Sequence, residues 1–571
     1  MKKRCRLVSL LLAIVSLFSV ALTGCGTNED ANYTVLRIWN YDGGVGHTWL
    51  DAAITRFLAE NEETQYEKGK KGIKFKVLNT KDTNQLNNIK IANYSLYFAQ
   101  GINFNGMSNV MLDITDLLDD TLPGETKTIE SKLSANTKTA LSAQGSYKVL
   151  PHYQSFNGVV YNKTLFDEYG FYFAEEEENF ETTSVTDKAY GFVKQDLKDD
   201  VTIRTVGPDG VRGNDDDGLP SSIEEFERLC EYMIKSIVYP FIWADGNNKS
   251  YQMALTNSLW LNLEGYDGAM ANFTFNSNGT HTSIVTDFDG DIPQTTEKVI
   301  TKENIWEIYQ QESRYHALDM SQKVFSDDRY YHPWSISSTY SHTLIQRQFL
   351  ESLFAPINPA DGMKPIGMIL EGSYWLNEAK DSEEYAKAVK NYPEVAGLDL
   401  RMMPMPVQAT GSVKEGEGRN PVHLDMLSSY AFINANVKKK HGAGVEQLAK
   451  DFLKYLYTDV SLAEFTEKSK VTKNVNYDLS STQYQNLDGF AKSVWDAKKN
   501  DKVVVPISGE AEYYKNPSEF TMFSDTVLWR TTAGTGTPYP YTGFHSSMKL
   551  SAKDYFLGMK KTESWWNALK H

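Results

Sequence analysis

The stretch VLRIWNYDGGVGHTWLDAAITRFL, residues 35–58, and the stretch IKFKVL, residues 73–78, decide the predicted fold. Each contains the alternation of apolar and polar residues that is typical of a β-strand, and between the strands apolar residues from Trp49 to Leu58 recur at helical spacing. Two strands connected through a helix pair in parallel, because the chain must return before the second strand begins. The sequence therefore predicts an α/β fold.

The loop after the first strand is predicted to lie where ligands bind. In open α/β sheets, ligands occupy the crevice beyond the carboxyl ends of the strands. Trp39 ends the first strand, and Tyr41 and Asp42 follow it in a glycine-containing loop. These three residues are therefore the first candidates for contact with a ligand.

The amino terminus has the pattern of a bacterial export signal. Basic residues within 2–6 precede an apolar run at 7–22, which is shorter than the roughly 20 residues of a membrane-spanning helix. The run ends in LTGC, residues 22–25. This motif resembles the lipobox, in which the cysteine receives a lipid.

We expect a lipoprotein signal peptide at 1–24, lipid attachment at Cys25 and a polar tether at 25–34. These features predict a chain that is anchored to the extracytoplasmic face of the cell membrane by lipid alone. The alternative is an ordinary secretory signal that happens to end near a cysteine.

The cysteine content excludes internal disulfides, and the net charge limits the classes of binding partner. Cys5 lies in the signal and Cys25 is the lipid site, so only Cys230 remains and no internal disulfide is expected in the mature chain. Without the four basic signal residues, 54 basic and 74 acidic residues give a net charge of −20. Such a surface repels nucleic acid and anionic lipid, so we expect no nucleic-acid partner and a neutral or cationic ligand.

Five segments in order carry a resemblance to a known family. They are GSYKVLPHY at 145–153, GVVYNKTLFDEYG at 158–170, GLPSSIEEF at 218–226, MILEGSYW at 368–375, and SYAFI at 429–433, which precedes a helical pattern at 445–456. Together they resemble the extracellular solute-binding proteins of carbohydrate ABC importers, of the family 1 type and in lipoprotein form.

The resemblance implies a two-lobed clamp, like the type II periplasmic binding proteins, with a ligand cleft between the lobes. It also implies how the chain divides. The first lobe comprises 35–150 and a return at 421–475, the second lobe comprises 151–420 with insertions near 174–217 and 275–303, and helices at 476–571 complete the second lobe.

The resemblance and the aromatic content, 12% of all residues, suggest a sugar bound between aromatic rings. Tyr153 and Asn157 follow the first crossing between lobes. The turn at Glu371, Tyr374 and Trp375 is where the family's ligand-facing residue lies, and the sequence leaves open which of the two rings faces the cleft. Core packing is the competing interpretation for each aromatic residue, including the further candidates Trp243, Trp260 and Trp529.

An acidic segment, GPDGVRGNDDDG at 207–218, is a candidate calcium loop. Calcium is bound by six to eight oxygen atoms, which glycine-rich acidic loops can supply. The spacing is not that of an EF-hand, and a solvated acidic turn is the alternative. The candidate ligands are Asp209, Asn214, Asp215 and Asp217, and no other cofactor is expected.

The sequence contains none of the common catalytic motifs, such as a nucleophile elbow, a His-Glu-x-x-His helix or a phosphate loop. We therefore predict a monomeric, lipid-anchored receptor, not an enzyme, that captures a sugar or oligosaccharide and delivers it to the permease subunits of an ABC importer. Two alternatives remain open. One is a secreted carbohydrate-active hydrolase, and the other is an anchored adhesin without a small ligand.

Overall fold

The computed structural model describes most of the chain beyond the predicted signal. The described residues are 28–102, 104, 106–143, 145–181, 191–244, 250–359, 362–425, 427–505, 528–534, 536–537, 539–545 and 549–568. The predicted signal peptide and the predicted lipid site, Cys25, lie outside the described residues. None of the helices that the structure describes is long and apolar enough to cross a membrane.

The described strands form two main sheets and three two-stranded ladders. In chain order they are β1 (Thr34–Tyr41), β2 (Ile73–Thr80), β3 (Leu96–Gln100), β4 (Ser142–Ala143), β5 (Ser146–Tyr147), β6 (Leu150–Pro151), β7 (Asn157–Asn162), β8 (Tyr239–Ile242), β9 (His281–Asp289), β10 (Ile292–Val299), β11 (Ile366–Gly372), β12 (Leu400–Met402), β13 (Val422–Leu424), β14 (Ser429–Ile433) and β15 (Lys502–Val504).

The described α-helices cover both sheets. They are α1 (Thr48–Glu60), α2 (Thr115–Asp119), α3 (Ile129–Lys132), α4 (Ala135–Leu141), α5 (Lys163–Tyr169), α6 (Ile223–Lys235), α7 (Ser250–Glu264), α8 (Tyr266–Thr274), α9 (Glu312–Ser326), α10 (His342–Glu351), α11 (Trp375–Lys380), α12 (Glu383–Asn391), α13 (Val437–His441), α14 (Ala443–Tyr455), α15 (Asp459–Ser469), α16 (Ser481–Gln485), α17 (Gly489–Asn500), α18 (Pro540–His545), α19 (Ala552–Gly558) and α20 (Glu563–Asn567).

The first sheet has the strand order β2-β1-β3-β14-β6. β1 pairs in parallel with both β2 and β3, which confirms the β-α-β unit predicted from the first strands. The late strand β14 joins the same sheet antiparallel to β3. Helix α1 buries Trp49, Leu50 and Phe57 against this sheet because their helical spacing places them on one face.

The second sheet has the order β12-β7-β11-β8. β11 lies between β7, with which it is antiparallel, and β8, with which it is parallel. Every residue of β11 is buried, as expected for a strand covered on both faces. Helix α7 packs on β7 and β11, and α9, α18 and α19 build outward from it. The carboxyl-terminal helices therefore lie on the second lobe.

Within the part of the chain that the structure describes, three segments cross between the lobes and are hydrogen-bonded to one another. The backbone N–H of Gln154 donates to the carbonyl of Thr472 at 2.8 Å. Asn474 Nδ2 donates to Asp425 Oδ2 at 2.7 Å, and Asp425 is fully buried. Such paired crossings tie the two sheets together at a single hinge region.

Both predicted insertions contain regular packing in the structure. Residues 281–299 form the β9-β10 hairpin, whose Phe288 ring lies 5.0 Å from that of Tyr315 in α9. In the earlier insertion, Phe192 stacks on Tyr232 of α6 with ring centroids 4.4 Å apart. These segments are therefore anchored on the second lobe by buried rings, although their sequences are largely polar.

Candidate ligand-binding cleft

The two lobes contact each other where the loop after β1 meets the start of α11. Asn377 Nδ2 of α11 donates to the carbonyl of Gly44 at 3.0 Å. Gly44 has φ of 66°, and a Cβ atom there would lie 3.2 Å from the Tyr153 hydroxyl and 3.4 Å from the Tyr374 ring. Only glycine combines this backbone conformation with so close an approach.

Tyrosine rings surround this contact. Tyr153 and Tyr374 meet edge to face with ring centroids 6.0 Å apart. Within the described part of the chain, the buried hydroxyl of Tyr153 has no hydrogen-bond partner. A buried hydroxyl costs free energy unless it is hydrogen-bonded, so this group is available to a ligand that enters the cleft.

Two carboxylates lie behind and beside the tyrosines. Glu371 accepts a hydrogen bond from Gln346 Nε2 at 2.8 Å, and burial raises its pKa to about 7. Glu378 accepts from Lys81 Nζ of the first lobe at 2.9 Å, which forms an ion pair between the lobes. Burial, together with both carboxylates, raises the pKa of Tyr374 above its ordinary value, so its hydroxyl stays protonated at neutral pH.

Asp42 contacts a neighbour within its own loop. Its Oδ1 lies 2.8 Å from Nδ1 of His47. Burial alone lowers the pKa of His47, but the hydrogen bond and charge of Asp42 outweigh this and raise it. The pair fixes the loop whose Gly44 carbonyl meets the second lobe.

A cavity of about 460 Å³ opens beside Tyr41 on the first lobe. This volume is within the range of small-molecule sites. The lining carries amide side chains that can both donate and accept hydrogen bonds. Its residues are Tyr41, Thr83, Asn84, Leu86, Asn87, Gln100, Gly101, Ile102 and Met107.

The tryptophans next to the cleft residues are part of the core. Trp39 is fully buried and packs beside Tyr97, with ring centroids 6.3 Å apart. Trp375 is also fully buried and lies about 6 Å from the ring of Phe490. Contact of either ring with a ligand stays a prediction, which their burial in this structure does not favour. Tyr374 is the ring that faces the other lobe, because the residue after it begins α11 and turns inward.

The three remaining tryptophan candidates lie in the core of the second lobe, and their contact with a ligand likewise stays a prediction. Trp260 and Trp529 meet edge to face at 5.9 Å, and the guanidinium of Arg314 lies over both rings. Trp243 packs 5.0 Å from Tyr331 and is fully buried. Removing a large aromatic side chain from water is strongly favourable, which accounts for the burial of these rings in the core.

The structure brings together six of the predicted ligand residues at the lobe boundary, and their contact with a ligand stays a prediction. These six are Tyr41, Asp42, Tyr153, Asn157, Glu371 and Tyr374. Sequence reasoning missed Lys81, Asn377, Glu378 and Tyr251, whose hydroxyl pKa is raised by burial and by the nearby Glu371. Asn377 and Glu378 could have been found, since they are three and four residues after Tyr374 on a helix.

The acidic loop has ordered hydrogen bonds. Asp209 Oδ2 accepts from Asn214 Nδ2 at 2.7 Å, and Asp215 is paired with Arg401 at 2.6 Å. Burial and the neighbouring Asp209 and Asp217 raise the pKa of Asp216 to about 8. The described residues contain no group of three or more His, Cys, Asp or Glu side chains placed to hold a metal ion. The calcium site stays a prediction.

Comparison with known proteins establishes the fold. The sequence matches no family model and no curated protein. A solved chitin oligosaccharide binding protein is 13% identical, with a TM-score of 0.50, over 94% of this chain and all of that chain. A probable secreted solute-binding lipoprotein from Streptomyces coelicolor is 12% identical over 93% of this chain and 98% of its own, with a TM-score of 0.49.

A third solved structure, the SBP RafE in complex with raffinose, is 12% identical over 92% of this chain and all of its own, with a TM-score of 0.48. At these identities the similarity concerns the fold alone. The chain has the two-lobed α/β fold of solute-binding proteins, and the predicted fold class is confirmed.

Proposed function

We propose that this protein is a lipid-anchored, extracytoplasmic receptor that captures a neutral sugar or oligosaccharide and delivers it to the permease of an ABC importer. It binds this ligand without chemical turnover. The observation that carries the proposal is the tyrosine-lined contact between the lobes, in which the buried Tyr153 hydroxyl has no partner among the described residues.

The chemistry of the cleft suits a neutral polyhydroxylated ligand. The C–H faces of a sugar are apolar and leave water when they stack on rings such as those of Tyr41 and Tyr374. Its hydroxyls can donate to Glu378 and accept from Tyr153. The carboxylates of Glu371 and Glu378 disfavour an anionic ligand, as does the net charge of −16 for the whole chain.

The mechanism that follows is a population shift. The loop at Gly44 and the helix at Asn377 touch only when the lobes are close, so a ligand that bridges them stabilises the closed state. The closed state is the one we expect the permease to bind. Opening at the permease then releases the ligand, because the contacts from one lobe are withdrawn.

The test is isothermal titration calorimetry of the mature chain against neutral and charged glycans, with chromatography of each mixture afterwards. We expect tight binding of one neutral glycan class and its recovery intact. Release of shorter products would support a hydrolase instead. If no glycan gives a heat of binding, an adhesin without a small ligand is the alternative that remains. Tyr374→Ala should weaken the best ligand, whereas Tyr33→Ala, at an exposed position outside the cleft, should not.

A further inference from the structure

A second cavity, of about 330 Å³, is lined by residues of the second lobe and by Pro421 and His423, which precede the crossing at Asp425. The acidic loop at 207–217 and the end of α17 both contribute to its lining. Five aspartates line it, together with a single arginine and a histidine. These residues are Asp209, Asp215, Asp216, Asp496, Asp501, Arg401 and His423.

The basic residues of this cavity already have acidic partners. Arg401 pairs with Asp215 at 2.6 Å and with Asp399 at the same distance. His423 lies 2.8 Å from Asp501. Neither Asp209 nor Asp216 of the acidic loop therefore has one of these basic residues as its partner.

Asp216 is the strongest sign of a missing partner. It is only 6% exposed, and its Oδ1 has no hydrogen-bond partner among the described residues. Its other oxygen accepts from the backbone N–H of Asp209 at 3.1 Å. An unpaired buried carboxylate oxygen is costly, and a cation is the partner that removes this cost most completely.

The loop also offers neutral oxygen. The amide oxygen of Asn214 accepts from the backbone N–H of Asp216 at 3.1 Å. An amide oxygen has two lone pairs, so it can also coordinate a cation. Asn214, Asp209 and Asp216 all line the cavity. The next residue, Asp217, is 6% exposed, and its own Oδ1 has no hydrogen-bond partner within the described chain, which adds negative charge close by.

We propose that this cavity holds one calcium-type divalent cation, bound by Asp209, Asn214 and Asp216 and completed by water. Calcium takes six to eight oxygen ligands in irregular geometry, and carboxylate, amide and water oxygens all serve. Because the described residues contain no group of three acidic side chains placed to hold a metal ion, water would complete the coordination shell. Asp215 is left out because it is paired with Arg401.

The bound cation would fasten the 207–217 loop onto the second lobe. The loop already packs on a neighbouring turn, because the carbonyl of Gly210 accepts from the N–H of Gly416 at 2.9 Å. A ligand that binds only the folded state stabilises that state. This inference does not rest on sugar binding, and its test is separate from the glycan titration.

The test uses the mature chain after removal of metal with a chelator. Calcium titration by calorimetry should give one site, and millimolar calcium should raise the Tm by several degrees. Asp216→Asn should weaken calcium binding at least tenfold. Asp496→Asn is the matched control, since it removes one carboxylate of the same cavity that is not among the proposed ligands.

Asp209→Asn is the second variant, to be used if Asp216→Asn fails to fold, and it too should bind at least tenfold more weakly. Absence of heat and of any Tm change at millimolar calcium would overturn the proposal. Equal losses in Asp216→Asn and Asp496→Asn would also overturn it, as would equal binding of spermidine. Either result would indicate a diffuse acidic surface.

Discussion

Tyr153 and Tyr374 contact each other edge to face, with ring centroids 6.0 Å apart, at the boundary between the two lobes. Tyr153 follows β6, at the edge of the first sheet, and Tyr374 follows β11 of the second sheet. Gly44, from a third segment, fits against both rings. The lobe boundary is therefore a specific packing of tyrosines and not a chance approach of two surfaces.

The first prediction separates Tyr374 from its neighbour Trp375. Tyr374→Ala removes a ring at the lobe boundary, so we expect glycan binding to weaken tenfold or more, about 1.4 kcal/mol, with a small effect on folding. Trp375→Ala removes a fully buried ring and should lower the free energy of unfolding by about 3–5 kcal/mol. Calorimetry and urea denaturation measure the two effects.

The contrast between these variants decides the assignment. If Trp375→Ala remains as stable as the parent chain, the ring is not part of the core. If Tyr374→Ala binds the best glycan as tightly as the parent, the tyrosine platform is wrong.

The second prediction concerns closure. Asn377→Ala removes the donor to the Gly44 carbonyl, so the closed state should be less populated and the apparent Kd for the glycan should rise several-fold. Small-angle scattering should show a larger radius for the free variant. The control is Asn391→Ala, whose side chain donates to Glu351 at 2.9 Å on the second lobe. Equal affinities of the two variants would contradict a closing role.

The third prediction concerns pH and Glu371. Burial raises its pKa from 4.5 to about 7 in the folded state, so between these pH values the folded chain holds a proton that the unfolded chain has lost. The contribution of Glu371 to the free energy of unfolding is therefore highest below pH 4.5, and it falls by about 3 kcal/mol as the pH rises through 7. Glu371→Gln cannot lose a proton, so its advantage over the parent should grow across that window.

Urea denaturation at several pH values from 4 to 8 measures this difference. Glu383→Gln is the control, since that side chain is 81% exposed and its variant should follow the parent at every pH. A constant difference between Glu371→Gln and the parent would show that Glu371 is ionised throughout.

The fourth prediction tests the anchor. Cys25→Ser removes the thiol that would receive the lipid, so incorporation of a labelled fatty acid should be lost from the protein in its bacterial host. Cys5→Ser, within the predicted signal, should keep the label. Labelling of the Cys25→Ser variant would place the lipid elsewhere or refute the lipobox interpretation.

Much of the fold could be predicted because it depends on local patterns. The alternation in 35–39 and 73–78 and the helical spacing between them specify the β-α-β unit, which the structure contains. The two lobes were implied by the family resemblance of the segments from 145 to 456 and not by local patterns. The hairpin at 281–299 was not predicted, because many of its residues are polar and polarity alone does not distinguish a strand from a loop.

The candidate site was predicted only in part. Tyr374 and Trp375 are adjacent in sequence, and both are aromatic, so composition could not rank them. The direction of α11 determines which ring faces the other lobe, because it turns Trp375 toward Phe490 and leaves Tyr374 at the boundary. Lys81 pairs with Glu378, and Asn377 donates to Gly44, but no local pattern in the sequence links the two members of either pair.

The sequence by itself therefore determined the α/β class, the tyrosine-bearing turn and the acidic loop, since each is set by residues within a short stretch of chain. The tertiary structure decided which rings are buried and which face the other lobe. It also showed that Asp216, which sequence reasoning had not chosen, is a buried carboxylate with no hydrogen-bond partner on one oxygen among the described residues. Burial and pairing depend on residues brought together from distant parts of the chain, and a local pattern does not contain them.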